Sequence, residues 1–276
     1  MVLLAKLSSP AVDALPRDIV VLYPVASCEQ HSLHLPVFVD TMISDYVCSG
    51  VSDRCGDDVL VLPCQHLGYS HHHARFPGTL TSTTETFMTM MEETIESLAA
   101  HGFTKFLIVN SHGGNNPPIA VLLQRLMQSR GDELEIYHRF AWATDLDQEG
   151  MRTLGPAGSG HAGETETSMM LHLHPDLVDL DQLDPDGGVG AEGATATTPG
   201  GAVHGAGNRL RVDQMTMHGG VGDPRPSTAA AGKVMLDASI EDVVKTVMDL
   251  RRTDPFPEME RRRTQVKHRG LWRPKL

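Results

Sequence analysis

The run Lys105-Phe106-Leu107-Ile108-Val109-Asn110 has no polar residue between its ends, so both faces of such a strand must be covered. Three similar runs flank it in sequence. Ile19–Val25 and Val59–Pro63 precede it, and Leu134–Trp142 follows. Stretches of helical periodicity lie between them. Met42–Cys55 reads as a helix. In Thr83–His101, Phe87, Met90, Met91, Ile95 and Leu98 recur every three or four residues. Thr84-Glu85 suits the start of that helix, and Gly102 stops it. The turn Ser111–Asn115 leads through Pro117-Pro118 into a helix over Ile119–Gln128, with proline well placed in the first turn. Strand alternating with helix predicts an α/β fold. Specifically, it predicts a three-layer α/β/α sandwich with a mostly parallel central sheet.

A last helix is expected from Ser227 to Arg251, burying Val234, Met235, Ile240, Val243, Val244 and Val247. Between Asp184 and Gly222 the chain is rich in Gly, Ala and Thr, and reads as a long loop or irregular insertion. We expect one domain over residues 1–255 and a basic, solvated tail over 256–276.

The formal charge of −12 argues against nucleic-acid binding. No apolar segment is long enough to span a membrane, and the N-terminus is too short in apolar residues for a secretory signal. The four cysteines, Cys28, Cys48, Cys55 and Cys64, match no zinc-binding spacing. They are expected as free thiols in a cytoplasmic protein. The 15 histidines raise the expectation of metal chemistry.

Four segments carry that chemistry. Glu29-Gln30-His31-Ser32-Leu33-His34-Leu35-Pro36, with Asp40 behind it, follows the first strand. Sites in open α/β sheets lie just past the carboxyl ends of strands. Residues i and i+2 of an extended segment share a side, so Glu29 and His31 can face one ion or two adjacent ions. Asp40 can bridge two ions. In Asn110-Ser111-His112-Gly113-Gly114-Asn115, His112 is a natural ligand beside a helix N-terminus. In Gly160–Ser168, His161 precedes the helix Met169–Leu173 and suits a proton shuttle to a leaving amine. Acidic residues in that first turn, Glu164 and Glu166, also suit capping. Three consecutive histidines, His71, His72 and His73, cannot all face one point. A substrate or supporting role is expected for His73 and a surface role for the other two.

Together these residues resemble the creatininase family of metal-dependent amidohydrolases. The sequence reads EQHSLHLPVFVD, RFPGT, NSHGGN and HAGETETS in the family's order, and Gly219–Pro224 resembles its late G-x-G-D-P turn. The resemblance implies a creatininase-like fold with Glu29, His31, Asp40 and His112 as metal ligands and Asp40 bridging. It implies His161 as the catalytic histidine. It also implies two divalent ions, zinc or manganese with iron also compatible, and a homo-oligomer, often a hexamer.

Creatininases proper carry a glutamate where this chain has Gly114; Glu166 is the candidate replacement. They carry a tryptophan where this chain has Ala157, and a glycine at Ser32. Trp142 is a weak match to another pocket tryptophan. These departures point away from creatinine and toward the wider family. That family includes formamide deformylases, peptidases of mycofactocin maturation and hydrolases of cyclic keto-sugars.

The expected activity is hydrolysis of a cyclic amide or other non-peptide C–N bond in a small molecule. A lactone or cyclic keto-sugar hydrolase using the same centre is the first alternative. A non-catalytic metal or small-molecule binding protein is the second. A dinucleotide oxidoreductase is disfavoured, because no G-x-G-x-x-G follows an expected strand.

Overall fold

A computed structural model describes residues 2–131, 133–142, 160–183 and 211–252. Among them four strands form one parallel sheet: β1 (Val20–Val25), β2 (Val59–Val61), β3 (Lys105–Asn110) and β4 (Glu135–Phe140). Their spatial order is β2-β1-β3-β4. The helices are a short α1 (Ser9–Asp13), α2 (Val39–Cys55), α3 (Thr84–Ala99), α4 (Asn116–Arg130), α5 (Glu164–Leu173) and α6 (Ala229–Arg252). The α/β sandwich expected from the sequence is the fold observed.

Alternate residues of each strand point to opposite faces. Val20, Leu22, Leu107 and Val109 pack with α2, α5 and α6 through Val39, Ile43, Met169, Met170, Met235 and Ile240. Val21, Tyr23, Phe106 and Ile108 pack with α3 and α4 through Phe87, Met91, Ile95, Ile119 and Leu122. Phe87 and Phe106 are fully enclosed. Truncating either to alanine would cost about 3–5 kcal/mol.

The Thr83 hydroxyl caps α3 by accepting from Thr86 N–H, and Pro117 and Pro118 open α4. Two residues expected inside are outside. Met90 is half-exposed because it lies on the water side of α3, where Met88 takes the inward position. Val234 faces solvent on α6. Helix α2 begins at Val39, earlier than expected, and so takes Asp40 into its first turn.

The strand order creates the site. From β1 the chain crosses to β2 on one side, then returns past β1 to β3 on the other. The carboxyl ends of β1 and β3 are adjacent, Val25 being in register with Asn110. A crevice opens at such a reversal. Ala157, residues 184–210 of the long loop and the tail at 256–276 lie outside the described residues. No described helix is long and apolar enough to cross a membrane.

Candidate metal centre

Four segments converge on the crevice. The loop after β1 brings Ser27, Glu29, Gln30 and His31. The first turn of α2 brings Asp40, the loop after β3 brings His112, and the start of α5 brings His161 and Glu166. Glu29, His31, Asp40, His112 and Glu166 are all buried. Ser111 ties two of these segments by donating its hydroxyl to the Asp40 carbonyl at 2.9 Å.

Tautomers follow from unambiguous acceptors. His31 donates Nδ1–H to the Glu29 carbonyl at 3.0 Å. In the neutral ring its Nε2 therefore carries the lone pair. That lone pair faces Asp40 Oδ1 at 3.5 Å and Glu166 Oε2 at 3.6 Å, and no donor satisfies it. His112 donates Nε2–H to the Tyr69 carbonyl at 3.0 Å. Its Nδ1 lone pair faces Glu29 Oε1 and Asp40 Oδ2, both at 3.2 Å. Asp40 thus turns one oxygen to each imidazole, and Ser27 Oγ–H steadies Oδ2 at 2.6 Å.

Lone pairs facing carboxylates repel unless a cation lies between them. A proton is the smallest one available. Burial alone would push His31 down, but the charges of Glu166 and Asp40 outweigh it and raise it to about 9. Burial and the Glu29 charge compete in the same way at His112, which is raised well above its usual value. Burial would lift Glu29 and Asp40, but the imidazolium partners hold both carboxyls low. Burial lifts Glu166, His31 pulls it back, and the net is about 7.

Divalent metal ions suit this donor set, which mixes imidazole nitrogen with carboxylate oxygen. His31, Asp40 and Glu166 offer ligand atoms within 4.8 Å of one another. Glu29 and His112 form a second such set with His72, and a third combines Glu29, His31 and His161. Glu29 Oε2 is buried without a hydrogen-bond partner, another oxygen free for a cation.

Glu166 is in addition a capping residue, its Oε2 accepting Ala162 N–H at 2.6 Å. At Gly114 a Cβ would stand 2.3 Å from His112 Nε2 and 2.5 Å from the Tyr69 carbonyl. Any side chain there collides with the bond that orients His112.

His161 donates Nε2–H to the Gln30 carbonyl at 2.6 Å and turns Nδ1 to Glu29 Oε1 at 3.4 Å. Burial pushes it down to about 3, with His31 adding to the effect, so it is neutral. His73, expected to support the cluster or meet substrate, is buried with Nε2 at 3.6 Å from Glu29 Oε1. A surface role was expected for His72. Instead it lines the cavity, its ring stacked on His112 with centroids 5.4 Å apart, because the loop turns it inward beside its partner. His34, the second imidazole of its segment, pairs with Thr167 Oγ at 2.9 Å and stays outside the cluster.

Sequence reasoning did not single out Gln30, Ser27 or Tyr69. The carbonyl of Tyr69 carries no residue-type signal at all.

A cavity of about 940 Å³ opens over the cluster. Its polar floor is Glu29, Asp40, His112, His161 and Glu166. Trp142 lines its wall with Phe140, Pro118 and Val121, and Arg211 stands at its edge. The Phe140 and Trp142 rings meet edge to face at 4.5 Å.

The family described as Creatininase: Creatinine amidohydrolase matches residues 5–247. A creatinine amidohydrolase of Pseudomonas putida is 31% identical over 180 residues, covering 60% of this chain and 68% of that protein. A mycofactocin precursor peptide peptidase of Mycobacterium tuberculosis is 29% identical over 235 residues, covering 82% and 84%. The fold of a creatinine amidohydrolase (creatininase) crystal structure superposes with a TM-score of 0.76 at 24% identity. It covers 92% of this chain and 99% of that one. Two other solved creatininases are described as a Mn form and a Zn-Zn type. The buried His and carboxylate cluster and the family match over residues 5–247 agree, and the chain belongs to the creatininase family of metal-dependent hydrolases.

Proposed function

We propose that this protein hydrolyses a C–N amide bond, cyclic or otherwise non-peptide, in a small molecule. The observation that carries the reading is Asp40, whose two oxygens face different lone-pair imidazoles at 3.5 and 3.2 Å. His31, Asp40 and Glu166 would hold one divalent ion, and Glu29, Asp40 and His112 the other. Zinc or manganese fits the donors, in line with the Mn and Zn-Zn creatininases. When bound, such ions would supply Lewis-acid polarisation of the scissile carbonyl and a water of lowered pKa.

The chain's own groups do the rest. His161 Nδ1, neutral and in the floor, accepts the proton of the attacking water. It then delivers that proton to the leaving nitrogen. Ser27 and Ser111 hold Asp40 in place through its side chain and carbonyl. Trp142 and Phe140 offer an apolar wall to the substrate. The four free thiols suit a reducing cytoplasm, and a homo-oligomer is part of this reading.

A second reading is a peptide-like amide. It is favoured by the cavity, about 940 Å³, which lies at the large end of the roughly 300–1,000 Å³ usual for small-molecule sites. The peptidase relative, matched over 82% of this chain, points the same way.

The test pairs metal analysis with a substrate panel of creatinine, a short peptide amide and a matched lactone. About two ions per chain and turnover of amides ahead of the lactone are expected. Lactone turnover alone would replace the amide reading. Less than one ion after metal-replete expression would end the dinuclear one.

A further inference from the structure

Gln30 lies between Glu29 and His31 and is 5% exposed, yet it is no ligand of the proposed centre. Its side-chain amide is fully engaged. Oε1 accepts Ser32 N–H at 2.8 Å. Nε2 donates to the Gly219 carbonyl at 3.0 Å and to His73 Nδ1 at 2.5 Å. The amide cannot be flipped. Ser32 N–H can only donate and the Gly219 carbonyl can only accept, so a flip would oppose like groups at both ends. Gly219 is shaped for this residue: its φ is +85°, and a Cβ there would stand 2.0 Å from Gln30 Oε1.

The hydrogens can be counted. An amide nitrogen carries two, and both are spent on Gly219 and His73. His73 Nδ1 therefore holds a lone pair, and its proton is on Nε2, facing Glu29 Oε1 at 3.6 Å. His161 Nε2 is 3.2 Å from Gln30 Nε2 and receives no hydrogen from it. It carries its own, donated to the Gln30 backbone carbonyl at 2.6 Å. His161 thus turns the lone pair of Nδ1 toward the same Glu29 oxygen, at 3.4 Å. Two rings with the same tautomer, their centroids 4.2 Å apart, present opposite hydrogen-bonding faces to the cavity floor.

We propose that Gln30 is the positioning residue that fixes these two tautomers, making His73 a donor and His161 a proton acceptor in one site. This rests on the reading of His161 as the proton carrier and names Nδ1 as the atom that carries it. His73 keeps its proton throughout and offers Nε2–H to the carbonyl oxygen of a bound amide. The proton lost by water passes to His161 Nδ1 and leaves on the amine.

Neutron diffraction from the perdeuterated, zinc-loaded wild type tests this without a variant. Deuterium is expected on Nε2 of both rings and on Nδ1 of neither, with the Gln30 deuterons aimed at Gly219 and His73. Deuterium on Nδ1 of either ring would overturn the proposal.

Gln30→Glu then replaces the donor to His73 by an acceptor of the same shape, while the backbone carbonyl that orients His161 stays in place. We expect metal content to stay at the wild-type level, kcat to fall about a hundredfold, and KM to stay within about threefold. An unchanged kcat, or metal lost together with kcat, would also overturn the proposal. If the variant does not fold, the neutron result decides alone. A wild type that binds two ions but cleaves no amide would sink the hydrolase reading and leave the proton positions to judge Gln30.

Discussion

Glu166 Oε2 lies 3.6 Å from His31 Nε2, joining the start of α5 to the loop after β1 across the crevice. The same oxygen accepts Ala162 N–H at 2.6 Å. One carboxylate thus closes its own helix and, in the proposed centre, would supply the ligand that Gly114 cannot.

Glu166→Gln keeps an oxygen for Ala162 N–H and removes the charge. The fold should persist while one ion binds at least about tenfold more weakly. Metal analysis after dialysis should give a value near one ion per chain. Full retention of both would remove Glu166 from the ligand set.

In the metal-free protein His31 is raised to about 9, against 6.5 for an ordinary histidine. A raised folded-state pKa adds stability that is full below the unfolded value and is lost as pH climbs through the folded one. The metal-free melting temperature should therefore fall between about pH 7 and 9. The loaded protein, whose His31 carries no proton, should lack that slope. By the same linkage metal affinity rises with pH over this window, and binding releases protons. Calorimetry in two buffers of different ionisation enthalpy reads that release. A heat independent of buffer would contradict it.

His161→Ala should keep its metals and lose turnover by roughly 10²–10⁴-fold. In the proposed mechanism the imidazole is the neutral base, and the two proposed ion sites draw on Glu29, His31, Asp40, His112 and Glu166. Near-wild-type rates would overturn the assignment.

Gly114→Ala should destabilise the chain by about 1–3 kcal/mol, because the new methyl meets the backbone carbonyl of Tyr69 as well as His112. Loss of the bond from His112 to Tyr69 should loosen the ring and weaken metal binding along with stability. Gly114→Glu should do the same rather than add a ligand. Denaturant unfolding with and without metal measures both effects.

Much of the fold was legible because strands buried on both faces leave continuous apolar runs. The register of Val25 with Asn110 then places Glu29 and His112 together, as their positions after strands implied. Met90 and Val234 were misread because helical spacing marks a face only to within one residue. Met90 and the buried Met91 differ by one such step. Gln30 escaped notice because its hydrogen-bond partners Gly219, His73 and His161 are far apart in sequence. His72 was misread because adjacency in sequence does not reveal how a loop turns its side chains.

The ion-facing residues come from the loops after β1 and β3 and from the starts of α2 and α5. The wall of Phe140 and Trp142 follows β4, and Arg211 and Val212 arrive from a separate segment. On the proposed reading, reactivity and appetite are therefore written in different parts of the chain. A lineage can exchange its wall for a new diet without reopening the clasp that does the cutting, and a protein engineer can do the same.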